Sequence, residues 1–177
     1  MKLRLHLGAP GEGEPWASFP PEPFLRGDKL ESVLEEELPL LYGEIENYEE
    51  VEVSVSLLDR AKIGEINKNY RGIDEPTDVL SFPLWETEGR FAPALPFGLL
   101  PLGDILICLD EAEREHALSR SEAFCLTLAH GFLHLLGWNH DTPEKERAMR
   151  ERQELLTSKL LRAAEDTEDP MEEQVEE

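Results

Sequence analysis

"HGFLHLLGWNH", His130 to His140, holds three of the chain's five histidines on a stretch otherwise rich in Leu, Gly, Phe and Trp. The apolar run before it, "EAFCLTLA", has helical spacing, with Ser119 or Ser121 as N-cap, so one helix reaches Leu136 and stops at Gly137, a good C′ residue. On a helix, residues i and i+4 stand one above the other, so His130 and His134 project from the same side. Beyond the glycine break the chain can turn back and bring His140 to a third corner. Three neutral imidazoles suit Zn²⁺, and three protein donors leave a position for water, the arrangement of a catalytic site. Such an ion lowers the pKa of its bound water toward about 7. The bland alternative is three unrelated histidines, two buried in a helix and one in a turn. The offsets around a glycine break favour the metal. His6 and His116 show no such grouping.

Outward from this stretch, two-residue and helical periods alternate. "KLRLHL" (Lys2–Leu7) alternates as a half-buried strand, and Gly8 to Gly27 reads as a Gly/Pro-rich loop. Asp28, with Glu31 three residues on, fits an N-cap for a helix that buries Leu30, Val33, Leu34 and Leu38 and ends or kinks at Pro39. "VEVSVSLL" (Val51–Leu58) is the clearest strand, and Asp59 caps a helix carrying Ile63, Ile66 and Tyr70. "DVLSFPL" (Asp78–Leu84) is extended, with Pro83 marking an edge or an end. Trp85 to Pro101, with three prolines and two glycines, reads as a loop with freedom to move. "LGDILICL" (Leu102–Leu109) reads as a buried strand. Asp110 begins a helix to about Leu118, and Thr142-Pro143 opens the last helix, with Met149, Leu156, Leu160 and Ala163 on one face. These elements predict a single-domain α/β (α+β) sandwich: a roughly four-stranded mixed sheet, about five helices, and a zincin-like metal helix.

The 177 residues suit one domain, but the net charge of −22 is unusual and unevenly spread. "EDTEDPMEEQVEE" (Glu165–Glu177) carries eight acids and no base, leaving about −14 elsewhere. With so little apolar content it reads as a disordered acidic tail, 165–177, behind a hydrolase domain of residues 1–164. Such a charge argues against general affinity for nucleic acid or anionic membrane, so any nucleic-acid partner needs a local basic patch. Cys108 and Cys125 sit in apolar surroundings and read as buried thiols. The first residues lack the apolar run of a signal peptide, and no stretch approaches a membrane span, so a cytoplasmic location is expected.

The histidine spacing is that of H-E-x-x-H-x-x-G-x-x-H, the zinc signature of metzincin proteases. A protease needs the glutamate at the second position as general base, and here that position is Gly131. The cage is present without the peptidase base.

Three ordered blocks resemble the YbeY endoribonuclease family. "HGFLHLLGWNH" is similar to its H-G-x-L-H-L-x-G-[YW]-D-H. "NKNYRGIDEPTDVLSFP" (Asn67–Pro83) is similar to N-x-x-[YF]-R-x-x-D-x-P-T-D-V-L-[ST]-F-P, and "LGDILIC" to L-G-D-I-x-I. The likeness runs from about Val51 to Leu156. It implies a metal-dependent, single-strand-preferring RNA hydrolase acting on ribosomal RNA, in 16S 3′-end maturation and ribosome quality control. Its partner would be the small ribosomal subunit, with no DNA or membrane. It also implies His130, His134 and His140 as zinc ligands, and it places the family's functionally important arginine on Arg71. Asn139 departs from the pattern, standing where the family has Asp. The Trp85–Pro101 loop looks longer than usual.

Residue chemistry points the same way for Arg71, whose guanidinium fork binds phosphate bidentately from a Gly- and Pro-containing loop. The bland reading makes it an exposed charge or a partner for Asp74 or Asp78. Arg60, Lys62 and Lys68 complete a local positive patch with it. Thr77, Asp78 and Ser81 read as holding the loop by turn bonds, and Asp104 as a residue that orients a ligand histidine or the loop. No general base stands out. Two other functions fit less well: a ribosome-assembly factor with structural zinc, and a metallopeptidase.

Overall fold

The alternation in "VEVSVSLL" becomes an inner strand of the sheet, with Val51, Val53 and Val55 buried and the residues between them half-buried. The computed structural model describes residues 1–8 and 27–166. In chain order the elements are β1 (Lys2–Gly8), α1 (Gly27–Leu41), a 3-10 turn (Gly43–Asn47), β2 (Tyr48–Leu57) and α2 (Arg60–Arg71). There follow β3 (Val79–Pro83), β4 (Glu86–Thr87), β5 (Arg90–Phe91), β6 (Gly98–Ile107), α3 (Leu109–His116), α4 (Arg120–Leu135) and α5 (Pro143–Glu165). The sheet order is β1-β2-β6-β3, with β1 and β6 parallel to β2 and β3 antiparallel to β6. The mixed four-stranded sheet and five helices match the expected architecture. The Gly8–Gly27 loop and the acidic tail lie almost wholly outside the described residues. Among the described residues no helix is long and apolar enough to cross a membrane.

Alternate residues of β6 serve two cores. Ile105 and Ile107 join Leu128, Phe132 and Leu135 of α4 and Leu156 and Leu160 of α5, all fully buried. Leu106 faces the other way, into a smaller cluster of Ile63, Leu80 and Cys108 with Ile66 and Phe82 beneath α2. Asp104 is exposed and shares a face with Leu106, opposite Ile105 and α4. The expectation that it orients a ligand histidine is therefore corrected by the pleat.

Local signals explain most element ends. Asp59 Oδ1 accepts from the Lys62 amide at 2.7 Å, and Gly72, at φ 73°, ends α2. Ser119 and Glu122 form a reciprocal capping box on α4, and Thr142 caps α5 ahead of Pro143. β3 is an edge strand ending at Pro83, as its proline predicts.

Three boundaries differ from expectation. First, α1 starts at Gly27, so Asp28 lies in its first turn. Glu31 turns away to accept the Leu5 amide at 2.8 Å, as Glu35 accepts that of Leu3 at 2.9 Å. Two carboxylates thus occupy edge amides of β1 that would otherwise be open for pairing. Second, the helix passes Pro39 to Leu41, and the Tyr42 amide still reaches Leu38 O at 2.9 Å. Pro39 forgoes one bond near the helix end, and the fully buried Leu34 and Leu38 hold the turn. Third, Trp85–Pro101 is not a plain loop. It contains the β4–β5 hairpin and the start of β6, tied by the Trp85 indole to Pro101 O at 2.6 Å and by the Tyr48 hydroxyl to Leu95 O at 2.5 Å.

Helix α4 lies very close to β6. A Cβ at Gly131 would stand 2.6 Å from Ile105 Cγ2, against a β-branched side chain on an inner strand. Gly131→Ala should therefore cost a net ~1–2 kcal/mol in urea unfolding, after a gain of ~1 kcal/mol in helix propensity. Adding Gly131→Ala should cost less in an Ile105→Ala background, because the clash is relieved.

Burial, reinforced by the charges of Glu165 and Glu122, pushes the Cys125 thiol up to about 12. Burial also raises Cys108. A raised thiol pKa means less thiolate, the reactive form. Both thiols should resist a disulfide reagent at pH 8 in the native protein and react together once it is unfolded.

Candidate metal centre

His130 and His134 lie one turn apart near the C-terminus of α4, and the turn after Gly137 supplies His140. Gly137 sits at φ 81°, which lets the chain reverse there. Its Hα side is also filled, since a Cβ would stand 2.8 Å from the Phe91 amide nitrogen of β5. The β4–β5 hairpin therefore braces the turn that presents His140, and Gly89 of the hairpin lies beside the Asn139 amide. Asn139 Oδ1 accepts from the Asp141 amide at 3.3 Å and so helps shape this turn.

The three imidazoles converge as expected from spacing. Their donor atoms all lie within 4.8 Å of one another, and the Nε2 atoms of His130 and His134 are 3.0 Å apart. Burial and the neighbouring His130 lower the His134 pKa to about 4, while a hydrogen bond with the Trp138 backbone partly opposes this. The His134 ring is thus neutral near pH 7, the form that donates a lone pair to a metal. His130 Nδ1 meets Gln153 Oε1 of α5 at 2.8 Å, which turns its Nε2 inward. A convergent set of three imidazoles, with His134 neutral near pH 7 and His130 oriented by Gln153, fits a divalent transition metal.

Arg71, at the last turn of α2, is exposed and close enough for its charge to help lower His134. The other cations of the expected patch are engaged. Arg60 pairs with Glu111, Lys62 with Glu65 at 3.5 Å, and Lys68 with Asp74 at 3.2 Å. Arg71 alone of the four has no carboxylate partner among the described residues, so the patch narrows to one guanidinium. Asp74 and Asp78, its suggested partners, are bound to Lys68 and His116.

Two features were not read from the sequence. Gln153 falls in the stripe of Met149, Leu156 and Leu160, and a polar residue on that apolar face was the available signal. The second is His116, whose Nε2 lies 2.8 Å from Asp78 Oδ2. Nothing in the sequence joins these residues, which are 38 positions apart. Thr77 and Asp78 do hold the loop, Asp78 Oδ1 accepting from the Val79 amide at 2.8 Å, whereas Ser81 lies in β3 opposite Ile105. A cleft of about 460 Å³ is lined by His130, His140, Gln153, Asp78, His116 and Arg150, among others.

Fold and site together define a small α+β protein with a three-histidine group able to hold a metal ion. The family model described as Endoribonuclease YbeY matches residues 24–161. A Thermoanaerobacter relative named Endoribonuclease YbeY is 41% identical over 141 residues, covering 74% of this chain and 87% of its own. The relative of that name from Moorella thermoacetica is 48% identical over 114 residues, covering 60% and 71%. The solution structure of TM1509 from Thermotoga maritima matches with a TM-score of 0.52 at 26% identity, covering 97% of this chain and 99% of that one. The chain belongs to the YbeY endoribonuclease family.

If Gln153 holds His130 in its coordinating pose, Gln153→Leu should weaken metal affinity by about 10- to 100-fold. His134→Ala should abolish stoichiometric binding. Competition with a chromogenic chelator measures the first, and elemental analysis after gel filtration the second.

Proposed function

We propose that the protein is a zinc-dependent endoribonuclease that cleaves single-stranded RNA in ribosomal RNA maturation, at the 16S 3′ end, and in ribosome quality control. It would act in the cytoplasm on the small ribosomal subunit, through a domain comprising residues 1–164. The observation that carries the reading is a set of three converging imidazoles with a guanidinium, unpaired among the described residues, whose charge reaches one of them, His134. Family membership supplies RNA as the polymer, as the relatives' names state it.

His130, His134 and His140 would hold the zinc ion, whose Lewis acidity activates water and polarises a phosphoryl oxygen. Arg71 would grip the phosphate through its planar fork and offset the negative charge that grows on the phosphoryl oxygens. It keeps its charge throughout and, among the described residues, has no carboxylate to leave first. Gln153 would hold His130 in orientation. A peptidase reading lacks its base. A glutamate at position 131 would also have to enter the space held by Ile105.

Arg71→Ala tests the assignment on metal-replete protein with single-stranded and structured ribosomal RNA fragments. The cleavage rate should fall about 100- to 1,000-fold, as when one charge-stabilising donor is removed, with melting temperature and metal content unchanged. Chelation should stop cleavage by the wild type. Unaltered RNA processing by the variant would favour the assembly-factor reading, and chelator-sensitive cleavage of casein would favour a peptidase.

A further inference from the structure

We infer that Tyr70 is a base-stacking platform: its ring takes the face of an unpaired nucleobase whose neighbouring phosphate is held by Arg71. The inference rests on the RNA reading above and adds a subsite to it. Tyr70 is 73% exposed, although it lies on α2 in the apolar series with Ile63 and Ile66. Its ring has an aromatic neighbour nonetheless. It meets Phe82 edge to face, with centroids 4.5 Å apart and an interplanar angle of 78°. In that geometry Phe82 covers at most one face of the tyrosine, so at least one face stays open.

The support beneath the ring is firm. Phe82 belongs to β3 and packs onto the small core of Ile63, Leu80 and Cys108. Asn67, one turn before Arg71 and 3% exposed, donates to Glu75 O at 2.9 Å and folds the following loop back against α2. Gly72 ends the helix in the left-handed region, immediately after Arg71. An aromatic side chain has only two χ angles to lose, so ordering it under a flat ligand costs little conformational freedom.

The ligand class follows from the neighbours. Arg71 offers a guanidinium without a carboxylate partner among the described residues, which selects a phosphate or another anion. The rest of this surface binds its own cations in ion pairs, and the net charge of −22 repels a polyanion at long range. A site under that handicap gains from an uncharged contact, and stacking is such a contact. Every base has a π-face, so the platform selects for unpaired bases and not for sequence. Base-paired RNA keeps its faces stacked on its own neighbours and cannot offer one.

The experiment uses metal-loaded full-length protein and single-stranded oligoribonucleotides carrying 2-aminopurine at successive positions. Wild type should quench one position, and so should Tyr70→Phe, which keeps the ring. Tyr70→Leu should lose that quench and raise KM and Kd about 5- to 150-fold, the fold-change of one lost base–aromatic stack. Its kcat at saturating RNA and its melting temperature should stay near wild type. Replacing the quenched nucleotide by an abasic one should cost wild type the same factor and Tyr70→Leu almost nothing. The inference is overturned if wild type cleaves RNA and Tyr70→Leu matches it in KM and Kd, or if Tyr70→Leu weakens abasic and intact oligonucleotides equally. A wild type that neither quenches nor cleaves overturns the RNA reading itself, and this inference with it.

Discussion

Where α4 crosses β6, the helix has no side chain: Gly131 meets Ile105, and even a methyl group has no room between them. That contact fixes the height of α4 above an inner strand of the sheet. With the height set, Phe132 and Leu135 reach the core on the same helix that carries His130 and His134. The buried face of α4 and its metal-facing side are thus set by one rigid packing. α5 then lies against α4 with Leu156 and Leu160 buried, which brings Gln153 to His130. A ligand geometry that tolerates errors of only about 0.5 Å needs such support.

How legible this was depended on distance along the chain. The strands β1 and β2, the helix caps at Asp59, Ser119 and Thr142, and the three imidazoles all follow from local periods and turn chemistry. The failures were of tertiary origin. Pro39 sits inside a helix because the buried leucines before it, Leu34 and Leu38, outweigh one missing hydrogen bond. Glu31 leaves its capping role because a strand amide, 26 positions away, needs an acceptor. Gln153 and the His116–Asp78 contact required knowledge of which helices lie together. The basic patch was overestimated because sequence adjacency cannot show which cations already have partners.

Electrostatics in this molecule work on two length scales. The whole chain is strongly acidic, so its far field opposes an anionic polymer, and screening limits that field to about 8–10 Å at physiological salt. Inside that range the charge of Arg71 acts on its own surroundings, and imidazoles in place of carboxylates add no further negative charge. Short-range attraction set against long-range repulsion disfavours indiscriminate adhesion of an anionic polymer.

The hairpin of β4 and β5 has a consequence for how this chain tolerates change. Its Phe91 backbone fills the space beside Gly137, and Gly89 touches Asn139. The segment that reads from sequence as one loop with freedom to move is therefore two regions with different freedoms. Residues 86–91 form a buttress for the turn that carries His140, and a single insertion there would shift one corner of the triangle. Residues 93–97, between the hairpin and β6, carry no such duty among the described residues apart from the Tyr48 bond to Leu95. An added residue there leaves the triangle in place, whereas one in the first stretch displaces His140.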